Sequence, residues 1–182
     1  MKKNSNLAYS NPAPTASAKQ NTASIDGASI ESIIDGVIIK KLKQFKDNRG
    51  WLTEIYRDDQ DIIQPVMGYV SHTDYSIIRG PHEHKLQNDF FIFIGYGDFM
   101  LYLWDNRIDS PTHGNKMEFI VGESYHSSVI VPPGVVHGYK SISANGSFSI
   151  NLPDVLYAGK NKKESVDEIR HETDPNSKFK IK

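Results

Sequence analysis

The sequence of 182 residues contains no cysteine. Disulfides and thiolate chemistry are therefore excluded, and any metal would have to be held by imidazole, carboxylate or carbonyl groups. An excess of positive charge is also absent: 21 Lys and Arg face 22 Asp and Glu, for a formal charge of -1 and a pI near 6.6. A chain without a basic surplus lacks the electrostatic footprint of a nucleic-acid or anionic-membrane surface. No apolar run approaches the roughly 20 residues of a membrane-spanning helix. Met1-Lys2-Lys3 is not followed by the apolar stretch of a secretory signal, so the expectation is a soluble, cytoplasmic protein with no nucleic-acid or membrane partner. Helical periodicity is scarce as well, and there is no internal repeat.

What is present divides into two textures. Residues 1–33 are rich in Ser, Ala, Asn, Thr and Pro, with Tyr9 as the only aromatic. That composition cannot offset the entropy of ordering, so a flexible N-terminal tail is expected, with an arm wrapping a partner subunit as the alternative. Residues 34–182 form the folded domain. From Gly36 onward about ten short apolar segments alternate with Gly, Pro, Asn and Asp. They include Phe90 to Ile94 and Phe99 to Trp104, which flank the turn Gly95-Tyr96-Gly97-Asp98 and read as a hairpin. Regular short strands with turn signals point to an all-β sandwich or barrel. Only Lys162 to Arg170 is charged enough, and free enough of Gly and Pro, to form a short C-terminal helix.

The chain is organised around Arg79-Gly80-Pro81-His82-Glu83-His84-Lys85-Leu86-Gln87-Asn88-Asp89. Side chains alternate along a strand, so His82 and His84 share one face and Glu83 takes the other. Some fifty residues later, Val131-Pro132-Pro133-Gly134-Val135-Val136-His137-Gly138 delivers another histidine from a tight turn to the head of a strand. Together the two segments predict a small β-barrel with a His-lined mouth. His72, His113, His126 and His171 lie in polar loops and are expected to be solvated.

These residues carry a resemblance. From about Gly36 to Ile181 the chain is similar to the dTDP-4-dehydrorhamnose 3,5-epimerase group of cupin-fold sugar-nucleotide enzymes. The matching pieces occur in the family's order: Phe45-Lys46-Asp47-Asn48-Arg49-Gly50 with Glu54, Arg79-Gly80-Pro81-His82, Asp105 to Gly114, Pro132 to Gly138, and Asp174-Pro175. The resemblance implies a cupin-type jelly-roll barrel, a homodimer, a nucleotide-sugar substrate and no cofactor. It implies proton abstraction beside the ketone of a nucleotide-linked 4-keto-6-deoxyhexose. His82 is then the base and Asp174 the carboxylate that orients it. Arg49, Glu54 and Arg79 look after the nucleotide and its diphosphate, with His84 and His137 also at the substrate site.

Two positions depart from the family pattern. Its enolate-steadying lysine falls on Asp89, and its proton-donating tyrosine falls on Ile150, leaving Tyr157 or Tyr139 as substitutes. The segment His82-Glu83-His84-Lys85 is also similar to that of sugar 3,4-ketoisomerases. Read as a metal cupin, His82, His84, Asp89 and His137 would hold one divalent ion. A non-catalytic sugar-nucleotide binding protein is the remaining alternative.

Overall fold

A computed structural model describes residues 30–182; most of the segment read as a tail, residues 1–29, lies outside the described residues. The apolar segments form twelve strands: β1 (Ile38–Lys41), β2 (Phe45–Asp47), β3 (Gly50–Leu52), β4 (Tyr69–Thr73), β5 (Ile78–Glu83), β6 (Asp89–Phe93), β7 (Asp98–Asp105), β8 (Lys116–Gly122), β9 (Ser127–Val131), β10 (Val135–Ser141), β11 (Ser147–Asn151) and β12 (Ile169–Arg170). Two five-stranded sheets, ordered β1-β9-β6-β11-β4 and β12-β5-β10-β7-β8, face each other, and β2-β3 is a separate hairpin. The pairings are antiparallel. This is the all-β architecture expected from the strand pattern, in the jelly-roll form that the family resemblance implies.

Alternation builds the interior. Phe91 and Phe93 of β6, Phe99, Leu101 and Leu103 of β7, and Val135 and Tyr139 of β10 meet in one buried cluster between the sheets. Phe90 and Ile92 point the other way and form a second cluster with Leu42, Ile63 and Ile130 on the outer face of the first sheet. β6 is thus buried on both faces, which explains why its sequence reads as an unbroken apolar run. The turn at residues 95–97 does not close a hairpin. β6 pairs with β9 and β11 while β7 pairs with β8 and β10, so the turn carries the chain from one sheet to the other. Local turn chemistry is the same in both cases, and only the partners of the flanking strands distinguish them.

The C-terminal helix expected over residues 162–170 is also replaced. A three-residue 3₁₀ turn, Lys160–Lys162, is followed by extended chain and by β12, which pairs with β5 through Ile169↔Glu83 and Arg170↔His82. The Asp167 carboxylate accepts the backbone N–H groups of Lys85, Leu86 and Gln87 at 3.0, 2.8 and 3.1 Å. Three hydrogen bonds to a charged acceptor, together with strand pairing, outweigh the modest helix propensity of nine residues, six of them charged. At the other end, Ile30 and Ile33 pack against the main cluster and Ile34 lies within it. Ordered packing therefore begins no later than residue 30. Among the described residues no helix is long and apolar enough to cross a membrane.

Candidate functional site

Polar residues replace apolar ones toward one end of the barrel, and they do so on inward-facing positions. His82 of β5 and His84 just beyond it point inward, while Glu83 points outward to Asn106 Nδ2 and His171 Nε2, each at 2.9 Å. His171, expected to be solvated, is thus held by Glu83 and meets Phe179 edge-on at 4.7 Å between ring centres. β10 contributes His137, aligned with His82 in the β5–β10 pairing, and β6 contributes Asp89 at its head. The rings of His82 and His137 lie 4.5 Å apart, those of His82 and His84 5.6 Å, and Phe91 supplies the floor 5.5 Å beneath His137.

Close approach at this point depends on Gly80. Its φ is +82°, and a Cβ there would lie 2.7 Å from the His137 carbonyl oxygen and 3.0 Å from His82 Nδ1. Gly80→Ala is expected to cost on the order of 1–3 kcal/mol and to displace His82. Urea denaturation measures the first effect, and an unchanged midpoint would show that β5 and β10 can separate without cost.

The four side chains His82, His84, Asp89 and His137 bring one donor atom each within 4.8 Å of one another. Asp89 and His137 are each 1% exposed, whereas the His82 side chain keeps 16% of its surface open toward the cavity. Burial, helped by the His137 ring, pushes the His82 pKa down to about 2, so its imidazole is neutral at neutral pH. Burial opposes charge on His84 too, but the Asp89 carboxylate outweighs it and its pKa is raised. Burial likewise works against the Asp89 anion, yet His137 and His84 hold its pKa well below the usual carboxylate range.

Of these groups His82 and His84 line a cavity of about 1430 Å³, with Asp89 and His137 buried behind them. Arg79 lines it, fixed by Thr73 Oγ1 at 2.8 Å and the His72 carbonyl at 2.9 Å. Lys85, Tyr69, Tyr139 and Tyr157 line it as well. Arg49 and Glu54 do not. Arg49, 84% exposed, pairs with Asp47 at the tip of the β2–β3 hairpin, and Glu54 pairs with Arg57. Asp174 is also elsewhere: it accepts the N–H of Asn176 in an exposed turn. The carboxylate beside His82 belongs to Glu168, 3.9 Å away and itself bound by Arg170 at 2.7 Å. Glu168 was hidden in a charged run that read as a short C-terminal helix, and only the β12–β5 pairing delivers it.

Ile150 needs correcting too. It packs against the outer cluster with Phe90 and Ile130, so no side chain at that position could reach the cavity. The inward positions of β11 are Ser149, hydrogen-bonded to Tyr139 at 3.2 Å, and Asn151. Asn151 Nδ2 donates to Asp89 Oδ1 at 2.7 Å and lies 3.0 Å from the Tyr69 hydroxyl. Tyr69, which sequence reading passed over, sits across β11 from Asn151. Burial raises its pKa to about 12, so it stays protonated.

The segment from Asp105 to Gly114 acts as a brace rather than a binding loop. The Asp105 carboxylate accepts from Arg107 at 2.8 and 2.9 Å and from Ser110 and Thr112 at 2.6 Å each. Arg107 in turn holds the Asp35 carbonyl at 2.7 Å.

Comparison with known proteins places these features in context. Residues 31–172 match the family described as dTDP-4-dehydrorhamnose 3,5-epimerase. A probable low-salt glycan biosynthesis epimerase of Haloferax volcanii is 35% identical over 127 residues, covering 68% of this chain and 81% of that protein. A spore coat polysaccharide biosynthesis protein of Bacillus subtilis is 34% identical over 110 residues, covering 59% and 72%. Among solved structures, a dTDP sugar isomerase from Desulfovibrio desulfuricans superposes with a TM-score of 0.71 at 20% identity, over 81% of this chain and 91% of the other. At that identity the likeness establishes the shared fold.

Proposed function

Since the chain belongs to the dTDP-4-dehydrorhamnose 3,5-epimerase family, and is thereby an enzyme of the sugar-nucleotide epimerase and isomerase class, we propose that it acts on a nucleotide-linked 4-keto-6-deoxyhexose with His82 as the base. The observation that carries this reading is the 1430 Å³ cavity with a neutral imidazole opening into it. Cavities for drug-sized ligands occupy about 300–1000 Å³, so this one suits a two-part ligand such as a nucleotide sugar. In the proposed step, His82 takes the proton from the carbon beside the ketone and the C–H electron pair moves onto the carbonyl oxygen as an enolate. Glu168 faces the imidazolium so formed. Return of a proton from the other side inverts the carbon. Tyr69 is our candidate donor, because its hydroxyl is protonated and is connected through Asn151 to the imidazole cluster. Arg79, anchored on two sides, is a candidate phosphate contact.

Arg49 and Glu54 reach a nucleotide only if a second copy brings its own hairpin to the mouth. The exposed apolar side chains Trp51, Leu52 and Val70 support such a homodimer, which we place in the cytoplasm. Light scattering that gives the mass of a single chain would remove this part of the reading.

The test of the activity is proton NMR of a dTDP-4-keto-6-deoxyhexose in deuterium oxide. Loss of signal at C3 or C5 is expected, and the carbon that exchanges distinguishes single from double epimerisation. No exchange at either carbon, beside an active control epimerase, sinks the proposal for this substrate.

A further inference from the structure

The imidazole cluster has a feature that base catalysis alone does not require. Two of its three rings are locked in the same tautomer. His84 Nδ1 is hydrogen-bonded to the Asp167 carbonyl, and His137 Nδ1 to the Val135 carbonyl at 3.0 Å. A carbonyl only accepts, so in each ring Nδ1 carries the hydrogen, and Nε2 presents a lone pair when the ring is neutral and a second N–H only when it is protonated. Gln87 Nε2, a donor 3.2 Å from His84 Nε2, agrees with that assignment.

Both Nε2 atoms then face the same oxygen. Asp89 Oδ2 lies 3.2 Å from His84 Nε2 and 2.9 Å from His137 Nε2. The other oxygen, Oδ1, is tied by Gln87 and Asn151 at 2.8 and 2.7 Å, which aims Oδ2 at the rings. Asp89 Oδ2 and His137 Nε2 are buried without a hydrogen-bond partner. With both rings neutral, three lone-pair atoms converge in a buried site and repel one another, and buried polar atoms left unmatched are costly. A cation at their focus removes both problems. Ligands bound at about 2.0–2.2 Å sit about 2.8–3.6 Å apart in octahedral or tetrahedral sites, which brackets the spacings to Oδ2. Backbone carbonyls on the far nitrogens are the usual second contact of metal-bound histidines.

We propose that His84, Asp89 and His137 hold a divalent cation at the base of the cavity. Two neutral imidazoles, one carboxylate and a divalent ion carry a single net positive charge, as the family's lysine would. This rests on the enolisation reading above: the cation supplies at Asp89 the charge that steadies an enolate oxygen, and Asp89 alone would repel it. His82 is set apart from the ligands because its Nδ1 faces Glu168 rather than a backbone carbonyl and because its ring is the more exposed of the two that line the cavity. Imidazole and carboxylate together suit zinc, iron, nickel, cobalt or manganese.

The test uses the full chain, stripped with a chelator and then incubated separately with zinc, manganese and cobalt ions. Metal content is read by mass spectrometry and cobalt ligation by visible absorption. About one ion per chain is expected for the unaltered protein and for His82→Asn, and close to none for Asp89→Asn and His137→Ala. Circular dichroism confirms that each variant is folded, and Asp89→Asn, nearly isosteric, covers the case in which His137→Ala does not fold. A folded, unaltered protein that retains none of the three ions overturns the site. A His82→Asn variant that loses the ion as His137→Ala does overturns the three-ligand assignment. Exchange at the sugar carbon by metal-free protein overturns the role of the cation while the epimerase reading stands. An ion bound by these residues with no exchange at either carbon supports the site and sinks the sugar reading.

Discussion

Turnover of a 4-keto sugar nucleotide by the His82→Asn variant is expected to fall about 100- to 10,000-fold, the usual contribution of a positioned general base. Asparagine retains much of the ring's shape and polarity but cannot take a proton. kcat and kcat/KM should fall together, because the lost interaction exists only as the proton moves, and nucleotide affinity should stay near that of the unaltered chain. The effect is large because neither of the other two imidazoles can assume the role. His84 and His137 are turned toward Asp89 and their second nitrogens are committed to backbone carbonyls. A His82 held neutral by burial is always available but is a weak base. It can work only on a carbon whose acidity has been raised by polarisation of the adjacent carbonyl. A decrease below threefold would mean that another group removes the proton.

Asp105→Ala is expected to destabilise the fold by about 3–5 kcal/mol, the cost of breaking a buried ion pair and leaving one partner uncompensated. The side chain is fully buried, and four donor contacts from Arg107, Ser110 and Thr112 converge on it. Its removal leaves the Arg107 guanidinium with the Asp35 carbonyl and Ser110. Against a typical stability of about 5–15 kcal/mol, such a loss is a large fraction of the whole. The Asp35 N–H to Thr112 contact and the Asn115 amide to Ile33 carbonyl contact should loosen with it, releasing residues 30–35 from the core. Although burial opposes the anion, the Arg107, Ser110 and Thr112 donors lower its pKa far below the usual value. A depressed carboxylate pKa stabilises the fold fully above the unfolded value of about 3.9 and ceases to do so as pH falls toward the folded value. The difference in urea midpoint between Asp105→Ala and the unaltered chain should therefore be constant from pH 7 to 5 and shrink below pH 4. A difference under 1 kcal/mol at pH 7 would assign the brace to Arg107 alone.

Several features of the site were legible in the order of residues. His-x-His on a strand puts both rings on one face, and the jelly roll keeps that face inward. The Pro-Pro-Gly turn does deliver His137 to the head of β10 beside them. Arg79 lines the cavity as expected. Other readings failed where the answer depended on a distant strand. Matching a pattern along β11 put Ile150 at the reactive position, but the strand's register turns Ile150 outward and Ser149 and Asn151 inward. Asp174 was selected by motif, whereas Glu168 is the carboxylate that β12 brings to His82.

The sequence by itself determined the class of fold, because alternating apolar residues and frequent turn formers allow little besides paired short strands. It also determined which imidazoles share a face, since alternation is a property of one strand. Only the tertiary structure decided that Asp89 stands at the focus of two histidines, that Glu168 and Tyr69 join the cavity, and that Arg49 and Glu54 lie outside it. The physical reason is that strand partners and register are set by contacts far apart in the chain, and a shift of one residue reverses every side chain.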